Sequence, residues 1–288
     1  MTCDLNLLWP KSNYDALTPS EITNIKNLII TSYNLGYYNV VINFEVSESL
    51  KLPINEPSKL NPIKIKEIID ISKFPDLKVF TRLTVIVNDS SKLINLNKYQ
   101  NYFDLIAIKP QTEKSLQNSI INLNIDLISI PLDTKLNFYI KHKIVGKALE
   151  KGIKFEICYG PLISSTSTLT RKLMISNIVQ LIRATRSNGL IISSGSKNPI
   201  NLRSFHNIMN FFQTLGIKLN HINKFDDNAE KALINGRLRI NSYKQTVMID
   251  DNVNLYDNSK DEENNVMANN YKKRLNDEDI GQRKKLHS

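Results

Sequence analysis

Disulfide scaffolds, sulfur-bound zinc and histidine-rich metal centres all need residues that this chain hardly contains. Its 288 residues include two cysteines, Cys3 and Cys158, and four histidines. Two cysteines cannot build a disulfide framework or a cysteine-based zinc site, and they suit a reducing compartment. His142 and His206 fall in helical stretches, His221 in a connection and His287 near the end. No H-x-H or H-E-x-x-H spacing occurs, which argues against a catalytic zinc or dimetal centre and leaves no implied cofactor. Glycine is also scarce, at nine residues. None of the glycine-based phosphate loops or nucleophile elbows is present. The nearest candidate, Ser193-Ser194-Gly195-Ser196, reads better as a plain turn than as a phosphate cradle. No run of about 18 apolar residues exists, and the start, Met1 to Trp9, carries Asp4 and no basic stretch. The expectation is a protein that is neither secreted nor membrane-spanning. Acidic residues are the last shortage: 28 Asp and Glu face 38 Lys and Arg, for a net charge of +10. From Asp250 onward nine acidic and seven basic residues give −2, so the first 249 residues carry +12. A body that basic repels itself and gains by meeting a polyanion, which makes RNA, DNA or an anionic membrane the partners to consider first.

What is present is a regular alternation. Short apolar runs at Cys3 to Leu8, Asn39 to Phe44, Lys78 to Val87, Asp104 to Ile108, Asp126 to Ile130, Lys154 to Tyr159 and Leu190 to Ser193 read as strands. Stretches of helical period separate them, as in repeated βα units on a parallel sheet. Capping signals precede the helices: Thr18-Pro19-Ser20-Glu21 before Ile22 to Leu35, Asn61-Pro62 before Ile63 to Ile71, Thr112 before Glu113 to Leu123, and Ser167 or Thr168 before Leu169 to Arg186. Seven or eight such units within about 240 residues predict an α/β fold, a TIM-barrel-like (β/α)-barrel. The eighth unit is weak. Asp226 to Ile234 has helical period, but Lys218 to Asn223 makes a poor strand, so irregular closure is expected. Residues 1–249 form the barrel-like domain in this reading. Residues 250–288 have few large apolar side chains and dense mixed charge, and are expected to be a disordered tail.

Strand periodicity places several polar residues on inward faces. Asp4 and Asn6 are expected to share one face of the first strand, and together with Asn43, Arg82 and Glu156 to form a polar cluster inside the barrel. Such a cluster serves either as an acid/base or metal centre or as a self-satisfying ion network; Arg82 supplies the cation a metal otherwise would, which favours the network. At about 100° per residue on the helix after Thr168, Arg171, Arg186, Lys172 and Arg183 fall within a stripe of about 120° beside an apolar face. That stripe contains no acidic residue. With Lys197, Arg203, Arg237, Arg239 and Lys244 it makes the C-terminal third of the folded part the expected polyanion-binding surface.

Nine pieces in order then point to a family: Asp4-Leu5-Asn6; Leu35-Gly36-Tyr37 before Ile42-Asn43-Phe44; Lys59-Leu60-Asn61-Pro62; Arg82-Leu83-Thr84; Phe103-Asp104; Asn124 to Ile128; Gly152 to Ile157; Ser193-Ser194-Gly195; and Asn235-Gly236-Arg237-Leu238-Arg239. Together, from the start to about Lys244, they resemble the thirty-kilodalton protein subunit of ribonuclease P and ribonuclease MRP in its fungal form. The resemblance implies a barrel related to metal-dependent PHP phosphoesterases but without their activity. Asp4-Leu5-Asn6 agrees, since it lacks the histidines that motif would carry. It further implies a structural and folding role beside a catalytic RNA that cleaves precursor tRNA and, in MRP, processes precursor rRNA. Implied partners are that RNA, other protein subunits including a small ferredoxin-like one, precursor tRNA nearby, and no membrane. Two rival classes are a PHP-type metal-dependent phosphoesterase and an interaction scaffold that binds no RNA. Lastly, Lys272-Lys273-Arg274 and Arg283-Lys284-Lys285 are spaced like a bipartite nuclear-import signal, which with the resemblance predicts residence in the nucleus, including the nucleolus.

Overall fold

The computed structural model describes residues 2–50, 60–88 and 96–241. In chain order these form β1 (Thr2–Leu8), α1 (Pro19–Asn34), β2 (Tyr37–Ser47), α2 (Ile65–Ile68), β3 (Lys78–Val87), β4 (Leu105–Pro110), α3 (Glu113–Asn122), β5 (Leu127–Ser129), α4 (His142–Glu150) and β6 (Lys154–Cys158). They continue as α5 (Gly160–Ser164), α6 (Thr168–Thr185), β7 (Leu190–Ser193), α7 (Phe205–Thr214), α8 (Leu219–Ile222) and α9 (Lys224–Asn241). Three of the four caps read from sequence do the expected work; the helix expected over Ile63 to Ile71 after Asn61-Pro62 is only the four-residue α2, whose N-cap Lys64 makes no side-chain cap bond. Thr18 accepts from the Glu21 N–H while the Glu21 carboxylate accepts from the Thr18 N–H, and Thr112 and Ser115 exchange the same pair of bonds.

The seven strands pair in parallel in sequence order, β1 to β7, and make a nearly closed barrel. No eighth strand completes it among the described residues. The turn after β7 reaches back to β1 instead: the Leu8 N–H donates to the Ser196 carbonyl at 3.0 Å, and the Gly195 N–H to the Asn6 carbonyl at 2.9 Å. The weak strand suspected at Lys218 to Asn223 is the short helix α8. It feeds α9, which packs against β1, β4 and β7 at the end where the strands begin.

Two apolar layers result. The larger lies between the sheet and the surrounding helices. The smaller fills the lower barrel, where Leu5, Val41, Phe80, Leu105, Leu127 and Ile191 meet Ala229, Ala232 and Leu233 of α9. Gly236 sets how closely that helix approaches, because a Cβ there would lie 2.2 Å from the Asp104 carbonyl oxygen. The helix thus replaces the missing strand as a plug, removing the inner apolar face from water.

Candidate functional site

Halfway up the barrel the apolar filling gives way to a closed ring of polar side chains. The Arg82 guanidinium, fully buried, grips Glu156 with two bonds: Nη1 donates to Oε1 at 2.5 Å and Nη2 to Oε2 at 2.7 Å. Its Nε donates to Thr84 Oγ1 at 3.0 Å, and Thr84 donates to Asn43 Oδ1 at 2.7 Å. Asn43 Nδ2 donates to Asn6 Oδ1 at 2.8 Å, and Asn6 Nδ2 returns to Glu156 Oε2 at 3.3 Å. Every member bonds the next, so this is the self-satisfying network and not an exposed reactive group. Burial works against the Glu156 carboxylate, but the Arg82 charge and hydrogen bonds outweigh it and hold its pKa below the usual range. Among the described residues no three His, Cys, Asp or Glu side chains are grouped to hold a metal ion. At this position the guanidinium supplies the positive charge.

Asp4 stands outside the ring, contrary to the expected shared face with Asn6. Between Asp4 and Leu7 the register of β1 against β2 slips by one residue, a β-bulge that breaks the alternation. Asp4 pairs with Val40, which packs in the outer apolar layer, whereas Cys3 pairs with Asn39 on the inner side. The Asp4 Oδ1 accepts from the N–H groups of Asn6 and Ser194, at 3.1 and 3.0 Å. Burial raises its pKa against those two bonds. The same contacts decide the Ser193-Ser194-Gly195-Ser196 turn. Its Ser194 and Gly195 N–H groups point into the fold and close the barrel, so they are not presented to a phosphate.

The basic candidates divide in two. Arg171 and Lys172 on the first turn of α6 and Arg183 on its last are exposed, opposite the buried Met174, Ile178 and Leu181. Arg186 is exposed too, but it is not on the helical stripe. It is the left-handed cap, at φ 52° and ψ 38°, that ends α6. Lys197 and Arg203 are exposed in the segment after β7. Between Glu156 and Asp226 the chain has eight Lys and Arg and not one Asp or Glu, and all eight are exposed. From β6 to the start of α9 the exposed charge is therefore cationic alone.

Arg237 and Arg239 belong elsewhere. Arg237 Nη1 lies 2.9 Å from Asp104 Oδ1, and Arg239 Nη1 lies 2.6 Å from both Asp126 carboxylate oxygens, with all four side chains 11–13 % exposed. Asp104 also accepts from the Thr81 N–H, and Asp126 from the Ile106 N–H. These arginines clamp α9 onto the starts of β4 and β5, so in the fold their guanidinium groups are engaged with carboxylates and mostly shielded. Their partners are more than 110 residues away, which no local pattern reveals. Lys244 and the six import-signal candidates, Lys272 to Arg274 and Arg283 to Lys285, lie outside the described residues, as do all of 250–288.

Several known proteins resemble this chain. A family model described as RNase P subunit p30 matches residues 1–241. The ribonuclease P/MRP protein subunit RPP1 of Saccharomyces cerevisiae is 36 % identical over 254 residues, covering 86 % of this chain and 85 % of that one. The ribonuclease P protein subunit p30 of Mus musculus is 30 % identical over 213 residues, 73 % of this chain and 79 % of the other. Among solved structures, a chain in the cryo-EM structure of archaeal ribonuclease P with mature tRNA superposes with a TM-score of 0.62 at 15 % identity, over 85 % of this chain and 97 % of that one. That likeness extends to the fold. The family model spans the whole described barrel and two relatives match at 30 % identity or more over most of their length: the chain belongs to the ribonuclease P subunit p30 family.

Proposed function

We infer that the chain is a protein subunit of ribonuclease P and ribonuclease MRP. It supports RNA-catalysed 5′ maturation of precursor tRNA and the processing of precursor rRNA, and performs no cleavage by itself. The Arg82–Glu156 ring supports the fold, and the cationic β6–β7 sector meets the RNA. The observation that carries this reading is the eight exposed cations unanswered by any acid between Glu156 and Asp226. Four of them are arginines, whose planar guanidinium groups suit phosphate and unpaired bases. A scaffold that binds no RNA would have to answer the same charge with acidic protein surfaces over that sector.

Two measurements test it. The tagged chain recovered from cells should carry an RNA subunit and precursor-tRNA cleaving activity. In binding assays with that RNA, Arg183→Gln with Lys172→Gln should lower the slope of log affinity against log salt by about 0.7 to 0.9 for each phosphate the variant no longer neutralises, with unchanged melting. Affinity and slope equal to the parent's would turn this face back into a solvated one.

Nuclear and nucleolar residence follows from the same role. No helix among the described residues is long and apolar enough to cross a membrane. In this reading residues 250–288 are a tail whose basic triplets, Lys272 to Arg274 and Arg283 to Lys285, serve import. The segment from Asn269 to Ser288 fused to a cytosolic reporter should carry it into the nucleus. A reporter that stays cytosolic would remove the signal.

A further inference from the structure

Next to the sector that carries the arginines, α3 and α4 pack side by side and leave a groove of about 230 Å³ that no arginine lines. Its floor is aliphatic, made by the buried Ile120, the half-buried Ile144 and Ile121, which is 54 % exposed. Its rim is lysine. Lys141 is tied to Glu113 at 2.7 Å, whereas among the described residues no carboxylate lies within ion-pair distance of Lys143 or Lys147, both exposed.

From this pairing of an isoleucine floor with unanswered lysines, we propose that the α3–α4 groove docks an acidic segment of another protein, one that inserts aliphatic side chains between the two helices and sets carboxylates against Lys143 and Lys147. The proposal rests on the subunit reading for the existence of neighbouring proteins. Three chemical facts select this occupant. An apolar floor gains most from apolar side chains, and rim charges of one sign choose their complement. RNA bases are held by stacking on aromatic rings or guanidinium planes, and none of either lines the groove. A second copy of the chain is disfavoured because the first 249 residues carry +12, so two such bodies repel. The cationic β6–β7 sector has the opposite make-up, four arginines among eight cations, and the two surfaces are thereby suited to different partners.

The test uses the full chain in its assembled particle. A photoreactive amino acid replaces Ile121, the tagged particle is purified and irradiated, and the adduct is sequenced by mass spectrometry. An adduct to a protein segment with net negative charge and aliphatic residues is expected. Lys143→Glu with Lys147→Glu should lower its yield at least tenfold while leaving the melting temperature unchanged. An adduct to RNA, an adduct to another copy of this chain, or a yield no higher than from the same probe at the exposed Lys66 would overturn the proposal. RNA recovered with the unmodified chain reports on the subunit reading separately, so the two cannot fail together unnoticed.

Discussion

Arg82→Ala is expected to cost about 3 to 5 kcal/mol of folding stability, because it leaves the Glu156 carboxylate buried without its counter-charge. Both side chains are inaccessible to solvent. Native domains are stable by only about 5 to 15 kcal/mol, so the loss takes away a large share of the total. The pH dependence identifies the cause. In the parent, Glu156 is held below the usual carboxylate range by Arg82 against the opposing effect of burial. A depressed acid stabilises the fold above its unfolded pKa and loses that contribution as pH falls through the folded value. Without Arg82, burial is opposed only by the remaining hydrogen bonds, such as that from Asn6, and the pKa rises. Glu156 then favours folding only below its unfolded pKa, and the contribution is lost as pH rises through the raised value. The deficit of Arg82→Ala measured by urea denaturation should therefore be larger at about pH 7 than at about pH 5. Arg82→Met with Glu156→Leu should recover part of it, since a buried pair removed whole leaves no orphaned charge; Asn6 and Thr84 still lose partners. A single variant that melts like the parent would refute the ring as a structural element.

The second large effect is expected at the other end of the barrel. Arg237→Ala and Arg239→Ala should each cost about 1 to 3 kcal/mol, the usual contribution of hydrogen bonds to charged groups that are mostly shielded from water. The double variant loosens α9 and exposes the inner apolar layer under Ala229, Ala232 and Leu233. The removed arginines are cationic, so the salt slope discriminates. Measured under conditions where the double variant is fully folded, RNA affinity should keep the parent's slope, whereas the α6 variants should keep the parent's stability and show a shallower slope. The reverse pattern, an unchanged denaturation midpoint with a shallower slope, would make Arg237 and Arg239 RNA contacts after all.

Where local chemistry governs, the fold is legible in the sequence. Lys78–Val87 and Leu190–Ser193 are strands with the expected ends, since continuous apolar runs bounded by turn residues admit little else. The capped starts of α1, α3 and α6 are equally plain. The partnership of Arg82 with Glu156 is readable because both lie on inward faces of regular strands. Asp4 escapes the alternation because a bulge costs one residue of phase, and nothing in Asp4-Leu5-Asn6-Leu7 marks it. Arg186 fits the helical stripe by angle alone, yet the helix ends one residue earlier, in a left-handed cap that glycine or asparagine more often supplies. The roles of Arg237 and Arg239 depend on acids 133 and 113 positions away in the chain, contacts that only the closed barrel creates. The groove of α3 and α4 likewise lies between two helices, and neither helix alone displays it.

Barrel closure without an eighth strand also sets a schedule for synthesis. β1 leaves the ribosome first, and its pairing with β2 is soon available. Its other edge waits for the turn after β7, and the Cys3 N–H waits for Asp226, 223 positions later. At about 5 to 20 residues per second, on the order of 10 to 40 s separate the release of β2 from that of α9. Throughout that interval the nascent chain carries an uncovered strand edge and an unplugged apolar interior, the two features that invite wrong pairing. The growing polypeptide is thus at its most vulnerable until α9 emerges, and a chaperone that shields β1 until residue 241 has emerged would protect it best.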